Sequence, residues 1–131
     1  MYYLLDTNIC IYFLKGRFGL VQKFERIGFD NLFLSEITVA ELKFGVEKSA
    51  YPEQNKITIN ELINKFKQLP IYSALDIYAK EKARLQKEGN TVDNLYLLIG
   101  ATAIVNNMVL VTNNEKHFDR LQNIKVENWT K

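Results

Sequence analysis

The stretch LLIGATAIVNNMVLVTNNEKHF, residues 97–118, sets a helical pattern directly before a strand pattern. A buried helix is predicted over Leu95–Asn106, where Gly100 and its small neighbours allow close packing. Met108–Thr112 follows as the strongest strand signal in the chain. A helix that leads into a short apolar strand is the repeating unit of a parallel α/β sheet.

The rest of the chain repeats this alternation. The other predicted strands are short and lie at Tyr2–Leu5, Asn31–Leu34, Leu69–Tyr72 and Lys125–Glu127. The other predicted helices cover Asn8–Lys15, Leu20–Ile27, the segment capped by Ser35, Ile57–Gln68, Ala74–Lys87 and part of Asn113–Asp119, with a loop at Ala50–Gln54. The pattern therefore predicts one α/β domain over residues 1–131, with a mainly parallel sheet and helices on both faces.

The composition is typical of an ordinary globular domain and does not indicate a particular function. The chain has 131 residues, 47% of them hydrophobic and 24% charged, and a net charge of +2. Cys10 is the single cysteine, which excludes an internal disulfide and fits a reducing cytoplasm. We see no export signal and no apolar run near the about 18 residues of a membrane span, so we expect a cytoplasmic protein.

Several polar residues fall where a parallel α/β sheet forms its sites. Asp6 follows the first strand, and Asn113 and Asn114 follow the strand at Met108–Thr112. Ser35, Thr38 and Glu41 are spaced by three and share one face of the next helix. Acids gathered at one end of a sheet are tolerated when they bind a hard divalent cation such as Mg²⁺ or Mn²⁺.

Each of these residues also has a purely structural interpretation. Asp6 can be a helix cap, Glu41 a solvent-facing helix residue, and the two asparagines a turn. Lys80 and Arg84 can lie on one solvated helix face, and the lone His117 on the surface. The residue pattern alone therefore leaves a metal site as one hypothesis among others.

Four ordered blocks carry a family resemblance. They read LLDTNICIYFLK (4–15), SEITVAELKFG (35–45), LLIGATAIVNNMVLVTNNEKHF (97–118) and VENW (126–129). This arrangement resembles the VapC-type toxins of the PIN-domain ribonuclease family, the toxin halves of bacterial toxin–antitoxin pairs. The resemblance implies a PIN-like three-layer α/β/α fold with a short-stranded, mainly parallel sheet. The last blocks look most like the branch that cuts initiator transfer RNA.

The resemblance also implies roles for particular residues. Asp6 and Glu41 match two acids of the metal site, and the third acid falls at the position of Tyr96. Thr7 and Asn8 match polar residues that support the first acid. Further supporting positions are Ser35, Thr38 and Asn114. The implied reaction is hydrolysis of an RNA phosphodiester, with Mg²⁺ or Mn²⁺ holding the attacking water.

Partners follow from the same resemblance. We expect a homodimer, a cognate VapB-type antitoxin whose C-terminal segment covers the active-site groove, and a transfer RNA substrate. Charge alone suggests Lys43, Lys80 and Arg84 as contacts to the RNA backbone. Five apolar residues are candidates for the antitoxin groove, with plain core as the competing interpretation: Phe13, Phe18, Leu20, Phe24 and Phe44.

The tyrosine at position 96 departs from the family pattern, and three explanations compete. In the first explanation, the chain is an inactivated form of an active toxin, since one base change converts an Asp codon into a Tyr codon. Alternatively, Asp93 replaces the missing ligand from one helical turn earlier, or serves only as the cap of that helix. In the third explanation the chain is a natural non-catalytic module that keeps the fold and binds its partners.

Overall fold

The computed structural model describes residues 1–131 as a five-stranded sheet with helices on both faces. The strands are β1 Tyr3–Leu5, β2 Leu32–Ser35, β3 Lys67–Leu69, β4 Val109–Val111 and β5 Lys125–Glu127. The helices are α1 Thr7–Leu14, α2 Leu20–Ile27, α3 Glu36–Glu47, α4 Pro52–Asn64, α5 Leu75–Lys87, α6 Asn94–Val105 and α7 Glu115–Phe118. The sheet order is β3-β2-β1-β4-β5, and every neighbouring pair is parallel.

The central strands are buried on both faces, which explains their continuous apolar sequence. In β1, Leu5 belongs to the core beneath α1 to α4, while Leu4 belongs to the core beneath α5 to α7. In register, Leu4 pairs with Phe33 on one side and with Leu110 on the other. Two cores on opposite faces of one sheet confirm the predicted three-layer α/β/α fold with a short-stranded parallel sheet.

The third strand is where the sequence prediction was wrong. Leu69–Tyr72 was expected, but β3 ends at Leu69, and Tyr72 is 83% exposed in a turn of 3₁₀ helix. Pro70 has no N–H to donate to a ladder, so it ends the strand rather than starting it. β3 is an edge strand with two exposed residues, and its sequence therefore lacks an apolar signal.

Helix boundaries also differ from the prediction. The loop expected at Ala50–Gln54 ends at Tyr51, and α4 begins at Pro52, because the fixed φ of proline favours the first turn of a helix. α5 begins at Leu75, one residue later than predicted, and has no side-chain cap. α6 begins at Asn94, one residue earlier than predicted, and within it Leu97 is buried while Leu95 is exposed.

The close packing of α6 depends on a glycine. Gly100 of α6 lies against the tail of the chain, where an added Cβ would come within 2.3 Å of the Leu121 side chain. This close approach confirms the packing role expected of the small residues.

Cys10 is fully buried in the core. No helix combines the length and hydrophobicity needed to cross a membrane.

Candidate active site

Three neighbouring strands bring the polar residues together. β2, β1 and β4 are adjacent and parallel, so their carboxyl ends meet at one edge of the sheet. Asp6 follows β1, Ser35 ends β2 and Thr112 follows β4. The backbone N–H of Asp6 donates to the Val111 carbonyl at 2.9 Å, which extends the ladder up to the site.

Asp6 is a buried carboxylate with defined partners. It is 2% exposed, and its Oδ1 accepts from the Thr7 backbone N–H at 2.7 Å, so it also caps α1. Its Oδ2 accepts from the Thr112 hydroxyl at 2.7 Å. Burial raises the pKa of the Asp6 carboxyl, and the nearby charge of Glu41 raises it further, while both hydrogen bonds oppose the rise.

Glu41 lies beside Asp6 and is linked to it through Thr7. The Thr7 hydroxyl donates to Glu41 Oε1 at 2.5 Å, while the Thr7 backbone N–H donates to Asp6. Glu41 is half-buried, so its interpretation as an ordinary solvent-facing helix residue is wrong. We call Asp6 and Glu41 the carboxylate pair.

Tyr96 lies in the first turn of α6, near the carboxylate pair. Burial raises the pKa of its phenol, and the charges of Asp6, Glu41 and Asp93 raise it further. Its ring stacks on His117, with ring centroids 4.6 Å apart and an interplanar angle of 27°. The Tyr96 phenol is therefore neutral at pH 7 and lies within electrostatic range of both carboxylates.

Asp93 is the N-cap of α6. Its Oδ1 accepts from the Leu95 backbone N–H at 2.8 Å, and the residue is exposed. The structure therefore gives Asp93 the capping role that the sequence left open beside a ligand role. No group of three or more histidine, cysteine, aspartate or glutamate side chains is placed so that it could hold a metal ion.

The predicted supporting residues lie at the ends of β2 and β4 and at the start of α1. Ser35 caps α3 by accepting from the Thr38 backbone N–H at 3.1 Å, and both side chains are fully buried beneath the site. Asn8 donates from Nδ2 to Asn113 Oδ1 at 3.5 Å. Asn114 donates from its backbone N–H to the Thr112 hydroxyl at 3.0 Å.

Sequence analysis missed Thr112, the residue that links β4 to Asp6. A threonine at a strand end has no distinctive pattern of its own. The available signal is topological, because Leu5 pairs with Val111 and the next residues along are Asp6 and Thr112. That register is known only once β1 and β4 are known to be neighbours.

The three lysine and arginine residues suggested as RNA contacts are not gathered at the carboxylate pair. Arg84 forms ion pairs with Glu81 and Glu88, and it also donates to the Arg120 carbonyl. Lys80 lies on the same helix, α5, and is exposed. Lys43 lines a pocket with Glu47 and Lys56, which shares no residue with the carboxylate pair. Arg84 is thus already paired within the chain, and its role as an RNA contact stays a prediction.

Two grooves meet at Thr7 and Glu41. One has a volume of about 410 Å³ and runs between α1, α3 and α4, with Lys15 and Lys48 among its lining residues. The other has a volume of about 490 Å³ and runs between α3 and α6, with Phe44 and Lys48 in its wall. Lys15 and Lys48, which the sequence did not single out, are therefore the cations that line the grooves reaching Thr7 and Glu41.

The candidate groove aromatics divide between core and surface. Phe13, Leu20 and Phe24 are buried in the core beneath α1 to α4, so their assignment to a groove is wrong. Phe44 is 65% exposed and lines the larger groove. Phe18 is also exposed, but it lies on the loop between α1 and α2 and lines neither groove.

Comparison with known proteins places this arrangement in a family. Residues 3–124 match the PIN domain, and ribonuclease VapC2 of Rickettsia felis is 36% identical with full coverage of both chains. The chain belongs to the VapC ribonuclease family of PIN-domain proteins. The tRNA(fMet)-specific endonuclease VapC of Shigella flexneri is 29% identical to this VapC-family chain over 98% of both chains.

Solved structures agree with this membership. The VapBC2 complex of Rickettsia felis bound to a promoter DNA fragment superposes with a TM-score of 0.91 at 34% identity, covering 98% of this chain and 99% of the other. DNA-bound VapBC of Salmonella typhimurium gives a TM-score of 0.91 at 30% identity, with 98% of each chain covered. Both likenesses cover 98% of the VapC-family chain.

Proposed function

We propose that this chain is a metal-dependent endoribonuclease toxin of a type II toxin–antitoxin pair, acting on transfer RNA in the cytoplasm. The observation that carries the proposal is the carboxylate pair, two chain-distant acids that meet at the carboxyl edge of the sheet. Relatives named as ribonucleases support the reaction class, and the relatives named as tRNA(fMet)-specific endonucleases support the substrate.

The donor set of the carboxylate pair fits a hard divalent cation. A carboxylate has about four lone-pair positions, so Asp6 keeps about two after its hydrogen bonds from Thr7 and Thr112. Glu41 accepts from Thr7 through Oε1, which leaves its second oxygen for a ligand. Oxygen donors of this kind suit Mg²⁺ or Mn²⁺, which would supply an activated water and neutralise charge on the phosphate.

The residues around the pair have separate tasks in this proposal. Thr7 fixes the two carboxylates relative to each other, because its backbone N–H and its hydroxyl each hold one of them. Thr112 fixes the second oxygen of Asp6 and favours its charged form. Both threonines therefore orient the ligands before a cation arrives.

Tyr96 stands at the position of a third acid and impairs the reaction. A neutral phenol adds no negative charge to the pair, although the position lies within the electrostatic influence of both carboxylates. Loss of one anionic ligand weakens divalent binding and the supply of activated water. Asp93 does not offset this loss, since its carboxylate caps α6. We therefore rank an inactivated toxin ahead of a substituted metal site.

Reversion of the tyrosine tests the proposal. The parent chain and Tyr96→Asp are incubated with transfer RNA and Mg²⁺ or Mn²⁺, with a chelator as control. We expect weak or no cutting by the parent and a gain of about 100-fold or more on reversion. Robust metal-dependent cutting by the parent would contradict the impairment, and loss of that cutting in Asp93→Asn would assign the third ligand to Asp93.

A second candidate function is a non-catalytic binding module that retains the antitoxin and the dimer contact. The groove of about 410 Å³ beside the pair carries the apolar side chains Ile11, Leu14 and Ile59, which suit the apolar face of a helix. Related structures were solved as VapBC complexes. Capture of the neighbouring antitoxin by the parent chain, without RNA cutting, is the result expected of this module.

A further inference from the structure

The loop between α1 and α2 has an unusual backbone. Gly16, Phe18 and Gly19 all have positive φ, at 68°, 59° and 65°. The two glycines adopt this conformation without steric cost. In a phenylalanine, positive φ brings the Cβ atom too close to the backbone, so Phe18 is sterically strained. Phe18 is nevertheless 46% exposed, so burial does little to offset the strain. Strain at an exposed aromatic is a feature more typical of binding sites than of structural loops.

Phe18 is part of a cluster with a cation. Its ring meets the Tyr12 ring edge to face, with centroids 5.0 Å apart and an interplanar angle of 84°. The Arg17 guanidinium lies 5.1 Å from the Phe18 ring centroid and 5.4 Å from that of Tyr12. We call Tyr12, Arg17 and Phe18 the loop cluster. The guanidinium lies over one face of the Phe18 ring, and the 46% exposure of Phe18 leaves the rest of the ring open to a ligand.

The loop cluster is joined to the edge of the sheet that carries the carboxylate pair. The Tyr12 hydroxyl accepts from Asn113 Nδ2 at 3.2 Å, and Asn113 Oδ1 accepts from Asn8. Asn113 directly follows Thr112, the hydroxyl partner of Asp6. Helix α1 has eight residues and is about 12 Å long, so the cluster and the pair lie within reach of one short nucleic-acid strand.

Charge identifies the kind of ligand. Residues 7–24 contain three cations and no carboxylate, and Arg17 takes part in none of the three ion pairs in the structure. An unpaired guanidinium attracts a phosphate, and an exposed ring accepts a nucleobase face. Stacking on an aromatic ring or an arginine, next to a phosphate contact, is how proteins recognise unpaired RNA bases.

We propose that the loop cluster is a nucleotide subsite for single-stranded RNA. Phe18 stacks on a base and Arg17 binds a phosphate of the same strand whose reacting phosphate lies at the carboxylate pair. This inference rests on the proposed action on RNA. The positive φ of Phe18 sets the ring in its exposed position before RNA arrives.

The variant Phe18→Gly distinguishes a loss of RNA binding from a loss of stability. RNA affinity is measured by fluorescence anisotropy of a labelled single-stranded oligouridylate on the full chain, with a chelator present so that nothing is cut. Phe18→Gly removes the ring and relieves the positive φ, so Tm stays unchanged or rises. We expect Kd to increase by about 5- to 150-fold, the loss of one stacked base. Phe18→Trp keeps an aromatic face, and we expect its Kd to stay near that of the parent.

The arginine is tested through salt dependence. Arg17→Gln should reduce the slope of log Kd against log salt by about 0.7, the loss of one phosphate contact to a single strand. Arg26→Gln removes the same charge from an exposed site on α2 and serves as the matched control. We expect its slope and affinity to equal those of the parent.

Several results would overturn the subsite. They are no RNA binding by the parent, a Phe18→Gly affinity equal to that of the parent, or equal effects of Arg17→Gln and Arg26→Gln. Loss of antitoxin binding with intact RNA binding in Phe18→Gly would assign the surface to a protein partner instead. Failure of the nuclease proposal is recognised separately, because Tyr96→Asp would then not cut RNA although Phe18→Gly still weakens binding.

Discussion

Replacement of Thr112 by valine is the sharpest test of how the site is held together. The side chain is fully buried, and its hydroxyl donates to Asp6 Oδ2 at 2.7 Å while accepting from the Asn114 backbone N–H at 3.0 Å. Valine fills nearly the same volume but makes neither hydrogen bond. The change therefore isolates the two polar contacts from packing.

The size of the effect follows from these contacts. A hydrogen bond to a charged acceptor contributes about 1.5–3 kcal/mol to stability. Asn114 is only half-buried, so water can take over part of the lost partner of its N–H. We expect Thr112→Val to lower the free energy of unfolding by about 2–4 kcal/mol, a large part of the about 5–15 kcal/mol typical of a domain.

The loss should depend on pH in a defined direction. The Asp6 pKa is already raised, and removal of the Thr112 hydrogen bond raises it further. The native state then binds a proton at pH values where the unfolded chain has released it, so stability falls as pH increases through that window. The deficit of Thr112→Val should therefore be larger where Asp6 is charged than where it is protonated.

Urea unfolding followed by circular dichroism at neutral pH and at an acid pH that protonates Asp6 measures both quantities. Thr102→Val is the matched control, because Thr102 is equally buried and donates only to the Leu98 carbonyl of its own helix. That carbonyl keeps its helical N–H partner, so the control should lose less than about 1 kcal/mol. Equal losses in the two variants, or the same Thr112→Val loss at both pH values, would refute the assigned role of the hydrogen bond.

Two further predictions separate stability from function. Asp6→Asn should raise the free energy of unfolding by about 0.5–2 kcal/mol at neutral pH, because burial penalises the carboxylate charge. This gain in stability should vanish at acid pH, where Asp6 is protonated. The same change should abolish the RNA cutting restored by Tyr96→Asp, and a destabilised Asp6→Asn would contradict the raised pKa. Phe24→Ala should cost about 3–5 kcal/mol in urea unfolding, because this fully buried ring packs against Phe13 and Phe66. Phe44→Ala should stay within about 0.5 kcal/mol of the parent yet weaken antitoxin capture, and unchanged capture would remove Phe44 from that interface.

The central part of the fold could be predicted because its strands are buried on both faces. Continuous apolar runs such as Tyr2–Leu5 and Met108–Thr112 need no tertiary information to be recognised. β3 is different, since Lys67–Leu69 is an exposed edge strand that pairs by backbone alone. Its apolar neighbours Ile71 and Tyr72 misled the prediction towards a strand beyond Pro70.

The candidate site could be predicted only in part for the same reason. Asp6 is recognisable by its position after a strand, and Glu41 by the resemblance. The bridges that join them are side-chain contacts made by Thr7 and Thr112, and both depend on tertiary register. The loop cluster depends on backbone conformation at Phe18, which composition and periodicity do not encode.

Tyr96 acts on the site in two opposite ways. Burial, and to a lesser extent the charge of Glu41, already raises the pKa of Asp6, so a third carboxylate at position 96 would add repulsion in the absence of a cation. The neutral phenol removes that repulsion and packs against His117 and the buried Phe118. In the proposed mechanism, the same side chain therefore weakens the cation site while it stabilises the chain without a cation. A fold relieved in this way keeps its grooves and loop cluster intact, so partner and RNA binding are expected to outlast catalysis.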